Sequence, residues 1–515
     1  MQLLFFLCLL TFTTALQCTA NLPNTCECKC YNCGYRNGYV NVRCTTVPNL
    51  YELLTTLENG TFYNVEVYKC ENPVLNLVRL PAFSTFKLLI NHCGLESVAD
   101  DAFTDISDMV ILDLSSNALT TVPPFPYSPL LESIWLTDNM IRSFGKASIK
   151  GSSSNDSADL SRGSFKNVPY MTDIHLQNNL LTEITNATFA NMEELRIIDL
   201  SNNKLNRIAA DAFQNLLPLI NLNLSFNELT YLEPETFHNV DAYPNLYLNN
   251  NRLTHLSANS FVGNKRLDVL HLQNNHLAYI SPGTFNGLVD LYKIDLSNNN
   301  FTNIDDVFIE LPKLRLVNLS NNSLTDIRNT TFEHFWKLHL DLSNNQIRSV
   351  APNAFVNAYI LHLDNNQLDS IDGIFSEHNC LIHLNLHNNL FTEITNTTFN
   401  VLTQLVFLNF SNNHIHYIAP YSFYSTTLVS LDISNNNLTT LEPYSIAIKE
   451  RPLQTVKYGG NPFVCDDKLE WFRKYLKYEV RNGRWWDDNY IVEPVICPVL
   501  EKKKNINCNC DCSNT

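Results

Sequence analysis

Four histidines, His339, His362, His383 and His387, fall within three successive units of a leucine periodicity. Imidazoles gathered in this way can bind a transition metal, or can form a contact surface whose charge changes between about pH 5 and 8. No acidic residue in a supporting position and no fixed ligand spacing accompanies them. We therefore interpret them first as histidines exposed on strands, with a pH-dependent contact patch or a metal site as the alternatives.

Motifs of common enzyme families are missing from the chain. Neither H-E-x-x-H, G-x-S-x-G nor G-x-x-x-x-G-K-[ST] occurs, and the serine run after Gly151 lacks the second glycine of a nucleophile elbow. We expect no enzymatic activity and no cofactor.

The charge and composition exclude other classes of function. The formal net charge is -16 and the sequence pI is about 5.3, which argues against binding to nucleic acid or to an anionic membrane. With 45% hydrophobic and 17% charged residues, the chain can bury a large core and is not a disordered chain.

The histidines lie within a sequence repeat, and this repeat predicts the secondary-structure elements that position them. The segment from Leu195 is L-R-I-I-D-L-S-N-N-K-L and the segment from Leu267 is L-D-V-L-H-L-Q-N-N-H-L. Both fit the leucine-rich repeat, L-x-x-L-x-L-x-x-N-x-L. The asparagine, here called the marker (Asn203 and Asn275 in these segments), recurs mostly every 23 or 24 residues, which gives about 16 repeats.

The alternation x-L-x-L-x predicts short parallel strands about 4.8 Å apart, with leucines inside and the intervening residues on a concave wall. We therefore predict an α/β fold: a leucine-rich-repeat solenoid (horseshoe) with a parallel concave sheet and disulfide-stapled caps. Marker asparagines should turn inward and hydrogen-bond buried backbone groups. Phenylalanines should fill the convex side, at Phe103, Phe189, Phe213, Phe237, Phe261, Phe285, Phe332, Phe355, Phe399 and Phe423.

The domain boundaries follow from the ends of the repeat. Residues 1–16 are predicted to be a secretory signal, because an apolar run precedes small residues ending at Ala15; a buried strand or a short anchor is the alternative. We place an amino-terminal cap at 17–60, the solenoid at 61–460, a carboxyl-terminal cap at 461–500 and a cysteine-rich tail at 501–515. A serine-rich insertion near 145–162 is either a tolerated loop or a binding loop. No transmembrane segment is expected.

Cysteines concentrate at the two ends, as expected of disulfide-stapled caps in an oxidising compartment. Six lie near the amino end: Cys18, Cys26, Cys28, Cys30, Cys33 and Cys44. Cys70 and Cys93 occupy marker positions on adjacent repeats, where we expect two free thiols rather than a bridge. Cys380 is too far along the solenoid to join either cluster. An odd cysteine among Cys508, Cys510 and Cys512 predicts a disulfide-linked dimer through the tail, with a free or capped thiol as the alternative.

The carboxyl-terminal cap should contain a helix over the last repeat. Asp467 and Glu470 have the spacing of a capping box, and Leu469, Phe472 and Leu476 form one apolar stripe.

These caps resemble the flanking domains of animal extracellular leucine-rich-repeat proteins, such as Toll-like receptor ectodomains, Slit, the small leucine-rich proteoglycans and adhesion proteins of the chaoptin and connectin type. The resemblance implies binding of proteins, glycans or lipoproteins without catalysis. It also implies a bridge between Cys465 and Cys497, although Asp467 replaces the second cysteine of the family's N-P-F/W-x-C-x-C.

Candidate ligand contacts lie between the strand leucines. This column contains five aspartates and no basic residue between Asp113 and Asp432. This acidic column would suit a basic or polar partner. The alternative is that its aspartates are simply those that solvent-exposed strands commonly carry. The candidates for ligand contact on the concave face are Trp135, His175, Tyr247, His271, His362, His383 and His387. Trp135 and Tyr247 stand out, because exposed aromatic residues are frequent binding anchors.

Glycosylation is expected in turns just before the phenylalanine column. Of eleven N-x-S/T sites, Asn59, Asn186, Asn329 and Asn396 lie there. The sequence thus predicts a secreted recognition protein that binds a protein or glycan, in innate immunity or signalling. A cell-adhesion or extracellular-matrix component is the alternative.

Overall fold

The computed structural model describes residues 22–31, 39–144 and 165–481, apart from residues 166, 186–187, 190–191, 211, 214, 217, 234–235, 238–243, 259, 262, 333–334, 376–379, 450–452 and 465. The predicted signal, the insertion near 145–162 and the tail lie outside the described residues. The chain divides into two units. The first runs to Leu229 and includes Thr236–Tyr243, and the second comprises Thr230–Glu235 and the residues from Pro244 onward.

In the first unit, short strands follow one another at the spacing of the repeat. The helix is α1 Leu50–Thr56, and the strands are β1 Cys26–Tyr31, β2 Tyr39–Cys44, β3 Thr61–Val67, β4 Asn76–Leu77, β5 Phe83–Ile90, β6 Ser97–Val98, β7 Ile106–Ser107, β8 Ile111–Asp113, β9 Ser133–Trp135, β10 Asp173–His175, β11 Glu183–Ile184, β12 Ile197–Asp199, β13 Arg207–Ile208 and β14 Asn221–Asn223.

A parallel ladder runs through the first unit in chain order, from β2 through β3, β5, β8, β9, β10 and β12 to β14. Strand β1 closes the amino-terminal edge by pairing antiparallel to β2. Smaller parallel pairs, β4 with β6 and β11 with β13, form on the opposite side of each turn.

The second unit repeats this arrangement. Its strands are β15 Asn245–Tyr247, β16 His255–Leu256, β17 Val269–His271, β18 Tyr279–Ile280, β19 Lys293–Asp295, β20 Leu316–Asn318, β21 Asp326–Ile327, β22 Leu338–Asp341, β23 Ser349–Val350, β24 Ala358–His362, β25 His383–Asn385, β26 Glu393–Ile394, β27 Phe407–Asn409, β28 Tyr417–Ile418, β29 Ser430–Asp432 and β30 Thr455–Lys457. The ladder runs from β15 through β17, β19, β20, β22, β24, β25, β27 and β29 to β30.

The core of each turn lies between the two sets of strands. The strand leucines are fully buried, as at Leu136 and Leu270, and all ten predicted phenylalanines are buried. Their rings stack from turn to turn, with centroids 5.7 Å apart between Phe189 and Phe213. The predicted column is therefore confirmed, and Phe308 extends it at a position that the prediction omitted.

Marker asparagines turn inward, as predicted. The Asn275 side chain is 4% exposed, its Oδ1 accepts from the N–H of Leu253 at 3.0 Å, and its Nδ2 donates to the carbonyls of Leu248 and Leu272, each at 3.0 Å. The amide thus joins its own turn to the preceding one. The residue before the marker is in the left-handed region, which asparagine tolerates.

Disulfides staple the amino-terminal cap. Cys26 is bonded to Cys44 across the β1–β2 pair, and Cys28 and Cys30 are also disulfide-bonded. Cys18 and Cys33 lie outside the described residues.

A disulfide joins Cys70 to Cys93, so the expectation of two free thiols was wrong. Both residues hold marker positions, and inward-pointing side chains at equivalent places on adjacent turns come within bonding range. Their Cα atoms are 4.6 Å apart, inside the usual span of a disulfide. Cys380 is a free thiol, and its Sγ donates to the carbonyl of Ala358 at 3.5 Å.

At the carboxyl end, a 3₁₀ turn at Asp467–Leu469 leads into α2 Glu470–Arg481. Leu469 in the turn and Phe472 in the helix have buried side chains, as the apolar stripe predicts. The cap residue was wrongly placed at Asp467. Asp466 has the extended backbone of an N-cap, and its carboxylate accepts from the N–H of Lys468 at 3.0 Å. Cys465 and Cys497 lie outside the described residues. Within those residues, no helix is both long and apolar enough to cross a membrane.

Candidate ligand-binding face

We call the outward side of the parallel strands the sheet face, and each strand of the ladder a rung. The central column consists of the residues aligned with one another from rung to rung: on β2, β3 and β5 they stand one position before the strand end, and on the later strands they end the strand. In the first unit the column runs, rung by rung, through Arg43, Glu66, Leu89, Asp113, Trp135, His175, Asp199 and Asn223. In the second unit it runs through Tyr247, His271, Asp295, Asn318, Asp341, His362, Asn385, Asn409, Asp432 and Lys457.

Most acidic and amide residues of the column hold their own strand end. The Asp199 carboxylate accepts from both the N–H (2.9 Å) and the hydroxyl (2.6 Å) of Ser201. We call this arrangement the Asp/Asn–Ser latch. It recurs with both bonds at Asn223, Asp295, Asn318, Asn409 and Asp432. The latch gives these side chains a structural role. It therefore supports the interpretation that the acidic residues of the column serve the strands rather than a ligand.

The latch is replaced by stacked rings at two pairs of adjacent rungs. Trp135 lies opposite His175, with ring centroids 3.8 Å apart and planes at 20°. Tyr247 lies opposite His271, at 4.8 Å and 5°. Trp135 is 37% exposed, and its Nε1 donates to the Ser133 hydroxyl at 2.9 Å. These four residues therefore present flat apolar surface where neighbouring rungs present a latched polar group.

The residue two positions after each ring also differs from the latch serine. On the Trp135 and His175 rungs it is Thr137 and Gln177, and on the Tyr247 and His271 rungs it is Asn249 and Gln273. Among the described residues, the side-chain oxygens of all four are buried without a hydrogen-bond partner. The Gln273 amide nitrogen lies 3.3 Å from His271 Nδ1. The sequence analysis missed these residues, although H-L-Q-N-N occurs twice in place of D-L-S-N-N.

Burial governs the protonation of the stacked histidines. Desolvation lowers the pKa of His175, opposed by the nearby carboxylates of Asp173, Asp199 and Asp113. Desolvation and, to a smaller extent, Lys293 lower the pKa of His271. Both rings therefore hold a proton less readily than a solvent-exposed imidazole does.

Three more of the candidate histidines form a contiguous strip on the second unit. His339, His362 and His383 lie on successive rungs, with ring centroids 5.7 and 5.2 Å apart. Phe407 continues the strip, 5.7 Å beyond His383. Burial and the neighbouring His362 lower the pKa of both His339 and His383. His387 lies to one side, where its Nδ1 is 2.8 Å from the Ser411 hydroxyl.

Acidic residues do accompany this strip, so the expectation that none would support it was wrong. Asp364 lies with one carboxylate oxygen 3.9 Å from His362 Nδ1, and it accepts from the Asn385 amide at 2.8 Å. Burial raises the pKa of Asp364. Still, within the described residues no group of three or more His, Cys, Asp or Glu side chains is arranged to hold a metal ion.

Two basic residues lie in the central column beyond the range from Asp113 to Asp432: Arg43 in the first unit and Lys457 in the second. Lys457 follows Asp432 in the ladder, with its Nζ 3.5 Å from the Asp432 carboxylate.

The N-x-S/T sites fall into two structural groups. Asn59, Asn329 and Asn396 are exposed in turns, whereas Asn186 lies outside the described residues. Asn223, Asn318 and Asn409 are half-buried on the sheet face and take part in the latch. Asn59, Asn186, Asn329 and Asn396 remain our prediction for glycan attachment.

Parallel strands repeated at this spacing, joined by inward asparagines and stacked phenylalanines, define a leucine-rich-repeat solenoid. A leucine-rich repeat model matches residues 152–205, 193–242, 244–301, 290–347 and 312–358, and a BspA-type leucine-rich repeat model matches 343–451. Together these matches span more than half of the chain, which belongs to the leucine-rich-repeat family.

Similar solved structures share this fold. The glycosylated Toll–Spatzle complex of Drosophila has a TM-score of 0.58 and 20% identity, covering 89% of this chain and 71% of that one. The TLR13–ssRNA13 complex has a TM-score of 0.52 and 18% identity, covering 84% and 89%. A leucine-rich-repeat protein of Leptospira interrogans has a TM-score of 0.51 and 18% identity, covering 84% and 98%. Comparison with curated proteins gives no match.

Proposed function

We propose that the chain is a secreted, non-enzymatic recognition protein whose sheet face binds an extracellular protein. The observation that carries this proposal is the loss of the latch at the Trp135–His175 and Tyr247–His271 rungs, where partly exposed rings replace residues with a structural role. A solenoid holds such a surface in place before binding, so little ordering accompanies association.

A protein ligand fits the surface better than a nucleic acid. The Toll structure contains Spatzle and the TLR13 structure contains single-stranded RNA. This chain has a formal net charge of -16, and five aspartates lie in its central column. Such a surface repels phosphates and attracts basic groups. We place its role in innate immune or signalling recognition, with the seven aromatic and histidine candidates on the sheet face as contacts.

Affinity capture tests the proposal. The purified protein, coupled to beads, should retain an extracellular protein, and Trp135→Ala with Tyr247→Ala should reduce that retention at least tenfold. Trp336→Ala provides the matched control, since Trp336 is 61% exposed but lies outside the sheet strands. Equal retention by the face variant and the control would contradict a binding role for the sheet face.

Two further measurements test secretion and the adhesion alternative. Amino-terminal sequencing of secreted material should give a chain lacking the first 15 to 17 residues, whereas an intact Met1 would contradict secretion through this signal. Coated beads that clump with one another, without a foreign ligand, would favour the adhesion alternative.

A further inference from the structure

A gap on the first unit lies between Trp135 and Asp113. These residues are directly opposite each other on β9 and β8, while His175 on β10 covers the other face of the indole. The Asp113 side chain is short, and its Oδ1 is held by the N–H of Ser115 at 3.0 Å. In the described residues, no second ring and no cation lies against the indole. Trp135 is 37% exposed, so the ring face toward Asp113 is the side that remains for stacking by a ligand.

The surroundings of this gap are negative. Asp113, Asp173 and Asp199 are close enough to His175 to oppose the lowering of its pKa. Each carboxylate uses one oxygen in a local hydrogen bond: with Ser115, Thr172 and Ser201, respectively. In the ladder the closest lysine is Lys87, beside Ile111, and its Nζ lies 3.4 Å from Glu66.

Two buried side-chain oxygens lie on the same two rungs, Thr137 Oγ1 and Gln177 Oε1, and neither has a hydrogen-bond partner among the described residues. They do not face the ligand, so the carboxylates carry the argument. A ring face bordered by carboxylates matches a planar, donor-rich cation. A guanidinium stacks on indole and donates in a fixed fork, whereas an ammonium is a compact, strongly hydrated charge.

We propose that this gap binds an arginine side chain of the protein ligand, with the guanidinium stacked on Trp135 and donating to the free Asp113 oxygen. The inference rests on the proposed function, since it assigns a ligand group to one part of the sheet face.

A small probe tests the site without the natural ligand. Nα-acetyl-arginine methylamide is titrated against the full mature protein and followed by saturation-transfer NMR. Its uncharged citrulline analogue and its lysine analogue serve as comparison probes. We expect the arginine probe to bind in the millimolar range and the citrulline analogue to bind roughly fivefold more weakly, as loss of about 1 kcal/mol of cation–π attraction implies.

The variants change side chains that lie outside the buried hydrophobic core. Trp135→Ala removes an exposed ring and should abolish the difference between the arginine and citrulline probes. Asp113→Asn alone would create an N-x-S glycosylation site, so it is made together with Ser115→Ala and compared with Ser115→Ala alone. The asparagine can still accept from the residue 115 N–H, so loss of arginine binding would report the missing charge. Asp432→Asn with Ser434→Ala is the matched control on a distant rung.

Equal binding of arginine and citrulline probes, stronger binding of the lysine probe, or binding unchanged in Trp135→Ala would overturn the arginine site. Capture by Tyr247→Ala alone, which leaves Trp135 in place, tests the sheet face independently of the arginine site, so the two proposals fail separately.

Discussion

The side-chain oxygen of Asn275 accepts a hydrogen bond from the backbone N–H of Leu253, one turn earlier in the solenoid, at 3.0 Å. The same amide donates to two carbonyls, those of Leu248 and Leu272. One buried side chain therefore satisfies three backbone groups that the strand ladder does not serve.

Asn275→Leu should lower the free energy of unfolding by several kcal/mol, because each backbone group left buried and unpaired costs about 1–3 kcal/mol. His271→Ala, on the sheet face of the same repeat, should cost well under about 1 kcal/mol. Urea-induced unfolding of both variants and the wild type measures the difference. Equal losses would contradict the assignment of inward and outward faces.

Stability should fall as the pH drops below neutrality. Burial lowers the pKa of His175, His271, His339 and His383 in the folded chain, so the unfolded chain takes up protons first. The contribution of these histidines is complete above their unfolded pKa of about 6.5 and is lost as the pH falls from there toward the folded pKa. Urea unfolding at pH 7.5, 6.5 and 5.5 should show this decline.

The double variant His339→Gln with His383→Gln should show a shallower decline than the wild type. His416→Gln, at an exposed site, is the matched control for the histidine-to-glutamine substitution itself. Asp364 titrates with the opposite sign because burial raises its pKa. It is present in all three proteins, so their comparison isolates the histidines. Parallel slopes for the double variant and the wild type would refute the linkage to these two residues.

The Cys70–Cys93 disulfide should add about 3 kcal/mol to stability, since it closes a segment with a sequence separation of 23 in the unfolded chain. Non-reducing peptide mapping should recover the linked pair. Replacing both cysteines with alanine should lower the melting temperature, whereas Cys380→Ala should have a smaller effect because that thiol is unbonded. Recovery of two separate, alkylated peptides would contradict the bridge.

The tail prediction concerns residues beyond those described. We expect Cys508, Cys510 or Cys512 to link two chains, which gives a dimer band on non-reducing gels that reductant removes. Truncation after Lys504 should abolish this band. A monomer band from both the full-length and the truncated protein, unchanged by reductant, would rule out the linked dimer.

Most of the fold could be predicted because the repeat fixes where each strand lies in the chain and which side chains point inward or outward. Once Asn203 and Asn275 are aligned as markers, strand alternation places Asp199 and His271 outward and Leu272 inward. The register of Trp135 against His175 follows from the same alignment, even across the insertion. Local geometry therefore transfers from one turn to the next.

The latch, the contact of Asp364 and the Cys70–Cys93 bond could not be predicted, because they depend on which side-chain atoms come into contact. The latch at Asp199 requires a particular side-chain orientation toward Ser201, and composition alone gave its aspartates two equally good explanations. Asp364 escaped notice because the latch aspartates end their strands, whereas Asp364 lies two positions farther along, where most rungs have the latch serine. The Cys70–Cys93 bond depended on the separation of two thiols, and sequence spacing does not measure that.

The Asp/Asn–Ser latch has a consequence for how such a chain diversifies. Each latch is closed within a single strand end, so replacing one by an aromatic residue alters the surface of one rung and leaves the strand ladder intact. The Trp135–His175 and Tyr247–His271 pairs are two such replacements. Substitutions can therefore change the chemistry of this surface one repeat at a time, largely independently of one another.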